Sequence, residues 1–192
     1  FNLYTQCLKQ LILPMKYLFD LDETLIHSDS LNCDAYNYAL AKCGYPRIED
    51  CLRLTRDSLQ FIPTTDLKKI IKIKQNYFTK SWLPYRIVLN TALLQRIREY
   101  GKTNCYLWTS ASKQRALSVL RRCKLKHFFN RILFDKKTNI AASIQKLKGR
   151  LHSDNFIIFD NDPALFENHH IQIMERIVSE KFHVYVYSVD MR

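Results

Sequence analysis

Short apolar runs recur along the chain, separated by segments with helical start and stop signals. Tyr17–Phe19, Cys105–Trp108, Ile132–Phe134, Phe156–Phe159 and Val184–Val189 are each three to six residues long. Most are apolar at successive rather than alternate positions, which predicts strands buried on both faces. Between them the punctuation is helical. Ser28 or Asp29 caps a helix running to Cys43, with Gly44 as its stop. Ile48–Leu59 reads as a second short helix. Thr65 caps a third, from Asp66 to about Trp82, which Pro84 breaks. Asn90 caps Thr91–Tyr100, stopped by Gly101. Ser112–Lys124 and Asn139–Lys148 follow, the latter with Gly149 behind it. Pro163 reads as the first turn of a helix running to Glu180. Residues 1–14 read as an N-terminal helix ended by Pro14, or as a leader before Met15.

From Thr91 onward helices alternate with strands, the pattern of an α/β fold with a Rossmann-like, three-layer α/β/α parallel sheet. Residues 30–84 contain no strand signal and read as a small α-helical cap inserted after the first strand. The expected organisation is thus a core over 15–29 and 85–192 and a cap over 30–84. At 192 residues the chain is long enough for one core with such an insert.

Composition narrows the chemistry. Three glycines (Gly44, Gly101, Gly149) cannot build a glycine-rich nucleotide loop. Six scattered cysteines without a CxxC pair argue against a zinc ribbon or redox motif and suit a reducing, intracellular compartment. No apolar run approaches the roughly 20 residues of a membrane span, and Cys7–Pro14 lacks a small-residue cleavage site. A secreted effector and a protein held at a membrane surface remain as alternatives. The net charge of +12 is uneven: −2 over 1–29, +5 over 30–90, +13 over 91–152 and −4 over 153–192. Such a field attracts anions: phosphorylated substrates, nucleic acid, an acidic membrane surface or an acidic partner. Aromatics do not interleave the basic run, which argues against single-stranded nucleic acid.

The strand ends carry the candidate chemistry, because ligands of open parallel sheets bind at the carboxyl ends of the strands. The first strand ends in Asp20-Leu-Asp22-Glu-Thr24, the second in Thr109-Ser110. The third is followed by Asp135-Lys136-Lys137, and the fourth ends in Asp160-Asn161-Asp162. Singly, each is an ordinary turn, cap or surface lysine; together and in order they form a set. Asp20, Asp22 and Asp160 brought close would repel one another until one took up a proton. A hard divalent cation such as Mg²⁺ relieves that conflict. A lysine and a hydroxyl suit phosphate oxygens, a carboxylate can attack phosphorus, and a second can serve as acid and base.

The run Tyr17-Leu-Phe-Asp-Leu-Asp-Glu-Thr-Leu25 resembles motif I of the haloacid dehalogenase (HAD) superfamily. Cys105–Ala111 is similar to its motif II, Lys136 or Lys137 to the motif III lysine, and Phe156–Pro163 to motif IV. The resemblance implies a phosphatase working through an aspartyl-phosphate with Mg²⁺. It implies Asp20 as nucleophile and metal ligand, and Asp22 as general acid/base with its carbonyl on the metal. Thr109 and Ser110 would bind phosphoryl, and Thr24 would steady the loop. Lys137, or its neighbour Lys136, would join nucleophile to phosphate, and Asp160 would anchor the metal. Asn161 or Asp162 would supply the second contact in the metal's shell.

Two features pull the substrate reading apart. The Asp-Asn form of motif IV, and Glu23 where small-molecule members often have Gly, resemble the small C-terminal-domain phosphatases that act on phosphoproteins. The inserted cap resembles those of members that enclose small phosphometabolites, and Leu83–Tyr85 through Ala111 is similar to the pyrimidine 5′-nucleotidase branch. The readings are therefore a phosphomonoesterase of a small molecule or phosphoprotein, a phosphotransferase or nucleotidase using the same Asp20, or a binding module with little catalysis.

Overall fold

A computed structural model describes residues 15–49, 54–81, 87–167 and 171–189. The expected helix or leader over 1–14, Trp82, and the Leu83–Tyr85 stretch with Pro84 lie outside these residues. By Cα proximity the chain forms two compact units. One holds the described residues up to Leu25, then Asn90–Ser110 and the described residues from His127 on; the other holds Ile26–Leu89 and Ala111–Lys126.

The first unit is built on a six-stranded sheet. Its strands are β1 (Lys16–Phe19), β4 (Cys105–Thr109), β5 (Arg131–Phe134), β6 (Phe156–Asp160), β7 (Gln172–Val178) and β8 (His183–Val189). The order is β5-β4-β1-β6-β8-β7. β5, β4, β1 and β6 run parallel, as the buried apolar runs predict. β8 is antiparallel to β6 and β7 to β8, so the sheet is mostly rather than wholly parallel. From β1 the chain places β4 and β5 on one side and β6 on the other. That reversal is the switch point at which α/β sheets open a crevice.

The core lies on both faces. Leu18, Trp108, Phe156 and Ile158 pack with Ile144 and Leu147 of the helix Ile140–Leu151. On the neighbouring residue's side, the rings of Phe19 and Phe159 stack at 4.4 Å. Each burial of a Leu, Ile or Phe side chain contributes about 1.5–3 kcal/mol.

The second unit contains α1 (Asp29–Lys42), α2 (Thr64–Ser81) and α4 (Lys113–Arg122), with a two-stranded ribbon of β2 (Ile26–His27) and β3 (Val88–Leu89). Its core joins Tyr36, Ala39 and Leu40 to Leu54, Leu59, Ile62 and Ile70. α4 packs on α2: the Arg115 guanidinium lies 4.4 Å from the Phe78 ring centroid, and Arg122 donates to the Thr79 carbonyl at 3.1 Å.

Three elements depart from the sequence reading. The helix expected from Pro163 to Glu180 is only a 3₁₀ turn, Pro163–Leu165, followed by strand β7. Ile171, Ile173, Ile177 and Val178 favour extended backbone, and a turn closed by Ser179 N–H to the Phe182 carbonyl at 2.8 Å pairs the run with β8. Arg96 of α3 (Thr91–Tyr100) also grips Glu175 of β7 through two bonds of 2.7 and 2.6 Å. The short helix expected over Ile48–Leu59 has, among the described residues, only a 3₁₀ turn at Asp57–Leu59. Asn37 instead binds the Ile48 backbone through both its amide groups, at 3.1 and 2.9 Å, in a segment without regular secondary structure. The helix α5, Ile140–Leu151, runs through Gly149 and ends at His152, whose φ of 49° makes the left-handed exit.

Asn90 does two jobs. Its Oδ1 accepts from Leu93 N–H at 3.2 Å and caps α3, while its Nδ2 donates to the Thr24 carbonyl at 2.9 Å. Both bonds are buried. Asn90→Ala will therefore lower stability by about 1–3 kcal/mol in urea denaturation.

Candidate active site

Register delivers two carboxylates to one place. Phe19 pairs with Phe159 in parallel, and Asp20 N–H continues the ladder to the Phe159 carbonyl at 2.9 Å. Asp20 and Asp160 thus leave adjacent strands side by side. Between them sits the ammonium of Lys137, 2.7 Å from Asp20 Oδ1 and 2.7 Å from Asp160 Oδ2. Asp20, Lys137 and Asp160 are 7, 4 and 2% exposed.

The loops carrying these groups are tightly specified. Lys137 has φ 55°, a left-handed conformation uncommon for a side-chain-bearing residue, and its N–H reaches Asp135 Oδ1 at 3.4 Å. Asp135 N–H donates to the Thr109 carbonyl at 3.1 Å, tying the β5 loop to the end of β4. Glu23, in the β1 loop, has φ 58°. Thr24 is fully buried and donates to Asn161 Oδ1 at 3.4 Å. Asp160 Oδ1 accepts from Asp162 N–H at 3.1 Å, and Asp162 Oδ1 accepts from Ala164 N–H at 3.1 Å.

Of the residues singled out from sequence, the structure brings Asp20, Lys137 and Asp160 into direct contact. Asp22 is half-buried and close enough for its charge to act on Asp20. Thr109 is buried at the end of β4, and Ser110 beyond it is exposed. Lys136 points to solvent while its neighbour is buried. Asn161 is linked to Thr24, and the exposed Asp162 caps the 3₁₀ turn. Sequence reasoning missed the indole of Trp108, whose ring centroid lies 4.5 Å from Lys137 Nζ. Its position, next to the last residue of an apolar strand, marked it only as core.

Two carboxylates and one ammonium leave the buried cluster a proton or a cation short of neutrality. Burial pushes the Asp20 carboxyl up to about 7; Lys137 opposes that rise, and Asp160 and Asp22 add to it. Burial alone would depress the Lys137 ammonium, but Asp20 and Asp160 outweigh it and raise it. Oxygen donors with an unmet demand for positive charge are what a hard divalent ion requires, so the residues present fit Mg²⁺.

Paired carboxylates and a buried lysine at the switch point of a mostly parallel sheet accord with the HAD-type phosphatases, hydrolases of phosphate monoesters. Residues 16–178 match the family model of NLI interacting factor-like phosphatases, and the chain belongs to that family. None of the curated proteins matches it significantly. Solved structures share the fold. A haloacid dehalogenase-like family hydrolase from Streptococcus pneumoniae is 18% identical with a TM-score of 0.56, over 71% of this chain and 72% of that one. A predicted phosphoglycolate phosphatase from Haemophilus somnus is 14% identical with a TM-score of 0.59, over 75% and 74%. A HAD-superfamily hydrolase of subfamily IA from Geobacter sulfurreducens is 12% identical with a TM-score of 0.55, over 72% and 74%.

The raised Asp20 carboxyl has a measurable sign. Between about pH 4, where the unfolded carboxyl titrates, and about pH 7 the folded chain holds the extra proton. Stability of the metal-free chain therefore falls as pH rises through this window. Thermal melts will show that fall in the wild type, and Asp20→Asn will flatten it.

Proposed function

We propose that this chain is a Mg²⁺-dependent phosphomonoesterase that works through an aspartyl-phosphate on Asp20. The observation that carries the reading is the buried contact of Lys137 with both Asp20 and Asp160. Asp20 Oδ attacks phosphorus, the bond to the leaving oxygen breaks, and Asp22 supplies the proton that oxygen needs. Asp22 then takes a proton from water, which attacks phosphorus and releases phosphate with Asp20 restored. Lys137 neutralises charge on Asp20 and on the phosphoryl oxygens, while Thr109, Ser110 and Asn161 orient that group. Asp20, the Asp22 carbonyl and Asp160 would hold Mg²⁺, with Asn161 or Asp162 in the outer shell. When bound, the ion stabilises negative charge on the transferring phosphoryl.

Hydrolysis of p-nitrophenyl phosphate will require Mg²⁺ and cease with chelator. Asp20→Asn will lose roughly 10³-fold or more in kcat, and Asp22→Asn about 10²–10⁴-fold, with both variants folded. Equal phosphate release by wild type and Asp20→Asn would sink the reading.

The charge distribution favours an anionic substrate larger than the phosphoryl group alone. The unit of Ile26–Leu89 and Ala111–Lys126 holds sixteen basic and six acidic residues, net +10 of the chain's +12. α2 exposes Lys68, Lys69, Lys72 and Lys80, and Ala111–Lys126 contains no acidic residue. In this reading the unit gathers acidic phosphoproteins. Raising NaCl from about 0.05 to about 0.3 M shortens the screening length from roughly 14 to roughly 6 Å. KM for an acidic phosphopeptide will then rise several-fold, and KM for p-nitrophenyl phosphate will change little.

A further inference from the structure

We infer that Trp108 is a positioning residue that holds the ammonium of Lys137 at the reacting carboxylate through the face of its indole ring; this rests on the reading of Lys137 as the catalytic lysine. Three observations carry it. The ring centroid is 4.5 Å from Lys137 Nζ, within cation–π range, and the ring is fully buried, where that attraction is strongest. Two of the ammonium's three N–H groups are committed to Asp20 and Asp160, both on the carboxylate side of the cluster. The indole Nε1 is buried with no hydrogen-bond partner among the described residues.

The last point separates a positioning role from simple filling. Burying an unpartnered N–H is unfavourable, and purely apolar side chains would line this core without that cost. What phenylalanine supplies less of is a cation-binding face, since indole is the best of the aromatic rings in that respect. The useful part of Trp108 is therefore its π surface.

Chemistry on Asp20 explains why a third contact matters. As Asp20 Oδ bonds to phosphorus, Asp20 ceases to be a free carboxylate, and one of the two anions holding Lys137 changes character. Asp160 and Trp108 do not. A long side chain leaving its backbone at φ 55° keeps its place through both halves of the reaction because the ring is unaltered by either.

The test alters the ring's electrostatics without altering its fit. The chain has two tryptophans, Trp82 and Trp108, so a Trp82→Phe background leaves Trp108 as the only site for mono-, di- and trifluorinated tryptophan. Each fluorine withdraws electron density from the ring face. The expected result is a stepwise fall in kcat for p-nitrophenyl phosphate, about tenfold over the series, with KM within about twofold and the melting temperature nearly constant. Trp108→Phe should retain more kcat than Trp108→Leu where both fold. An active, folded series with kcat flat to within about twofold overturns the assignment to Trp108 and leaves the phosphatase reading intact. An unmodified chain without Mg²⁺-dependent hydrolysis overturns the phosphatase reading, and the role of Trp108 with it.

Discussion

A buried ammonium shared by two buried carboxylates organises this molecule. Lys137 meets Asp20 and Asp160 at equal distances of 2.7 Å, and the carboxylates are tolerable side by side in that place only because the ammonium lies between them. Removing the ammonium would leave two uncompensated charges in a low-dielectric site. The same imbalance that burdens folding leaves oxygen donors in excess of positive charge, which is the condition a hard cation relieves.

The sheet exists to make that meeting happen. β1 is flanked by β4 and β6, and the parallel register sets Phe19 level with Phe159 and with Leu107. Residues far apart in sequence therefore emerge together. The loops add a second layer of constraint: Asp135 joins the lysine loop to β4, Thr24 joins the first loop to Asn161, and Asn90 holds the Thr24 backbone. Membership of the NLI interacting factor-like phosphatases accords with this frame.

Much of this was legible in the residues. The four core strands stand out because burial on both faces demands unbroken apolar runs, and the acidic residues that follow them are conspicuous against such runs. Asn90, Ser112 and Asn139 announce their helices because capping is local chemistry, and each accepts the expected backbone N–H. What the sequence hid was set by partners distant along the chain. The strand Gln172–Val178 has β-branched residues that favour extension, but its pairing with β8 and the grip of Arg96 are not visible from its own residues. Lys136 and Lys137 are the same residue type side by side; only the left-handed backbone turn decides which is buried. Trp108 looked like core because it is core, and only the fold brings its buried ring to 4.5 Å from the Lys137 ammonium.

The two left-handed residues of the site, Glu23 and Lys137, stand in unequal positions. Each occupies a backbone region that glycine enters freely and other L-residues enter at a cost. At 137 the cost is unavoidable, since no glycine carries an amine. At 23 a glycine would sit comfortably, so the glutamate there marks a loop kept under tension. The shape of the segment that carries Asp20 and Asp22 is therefore imposed by the buried Leu21, Thr24 and Leu25 around it rather than by the backbone preference of residue 23.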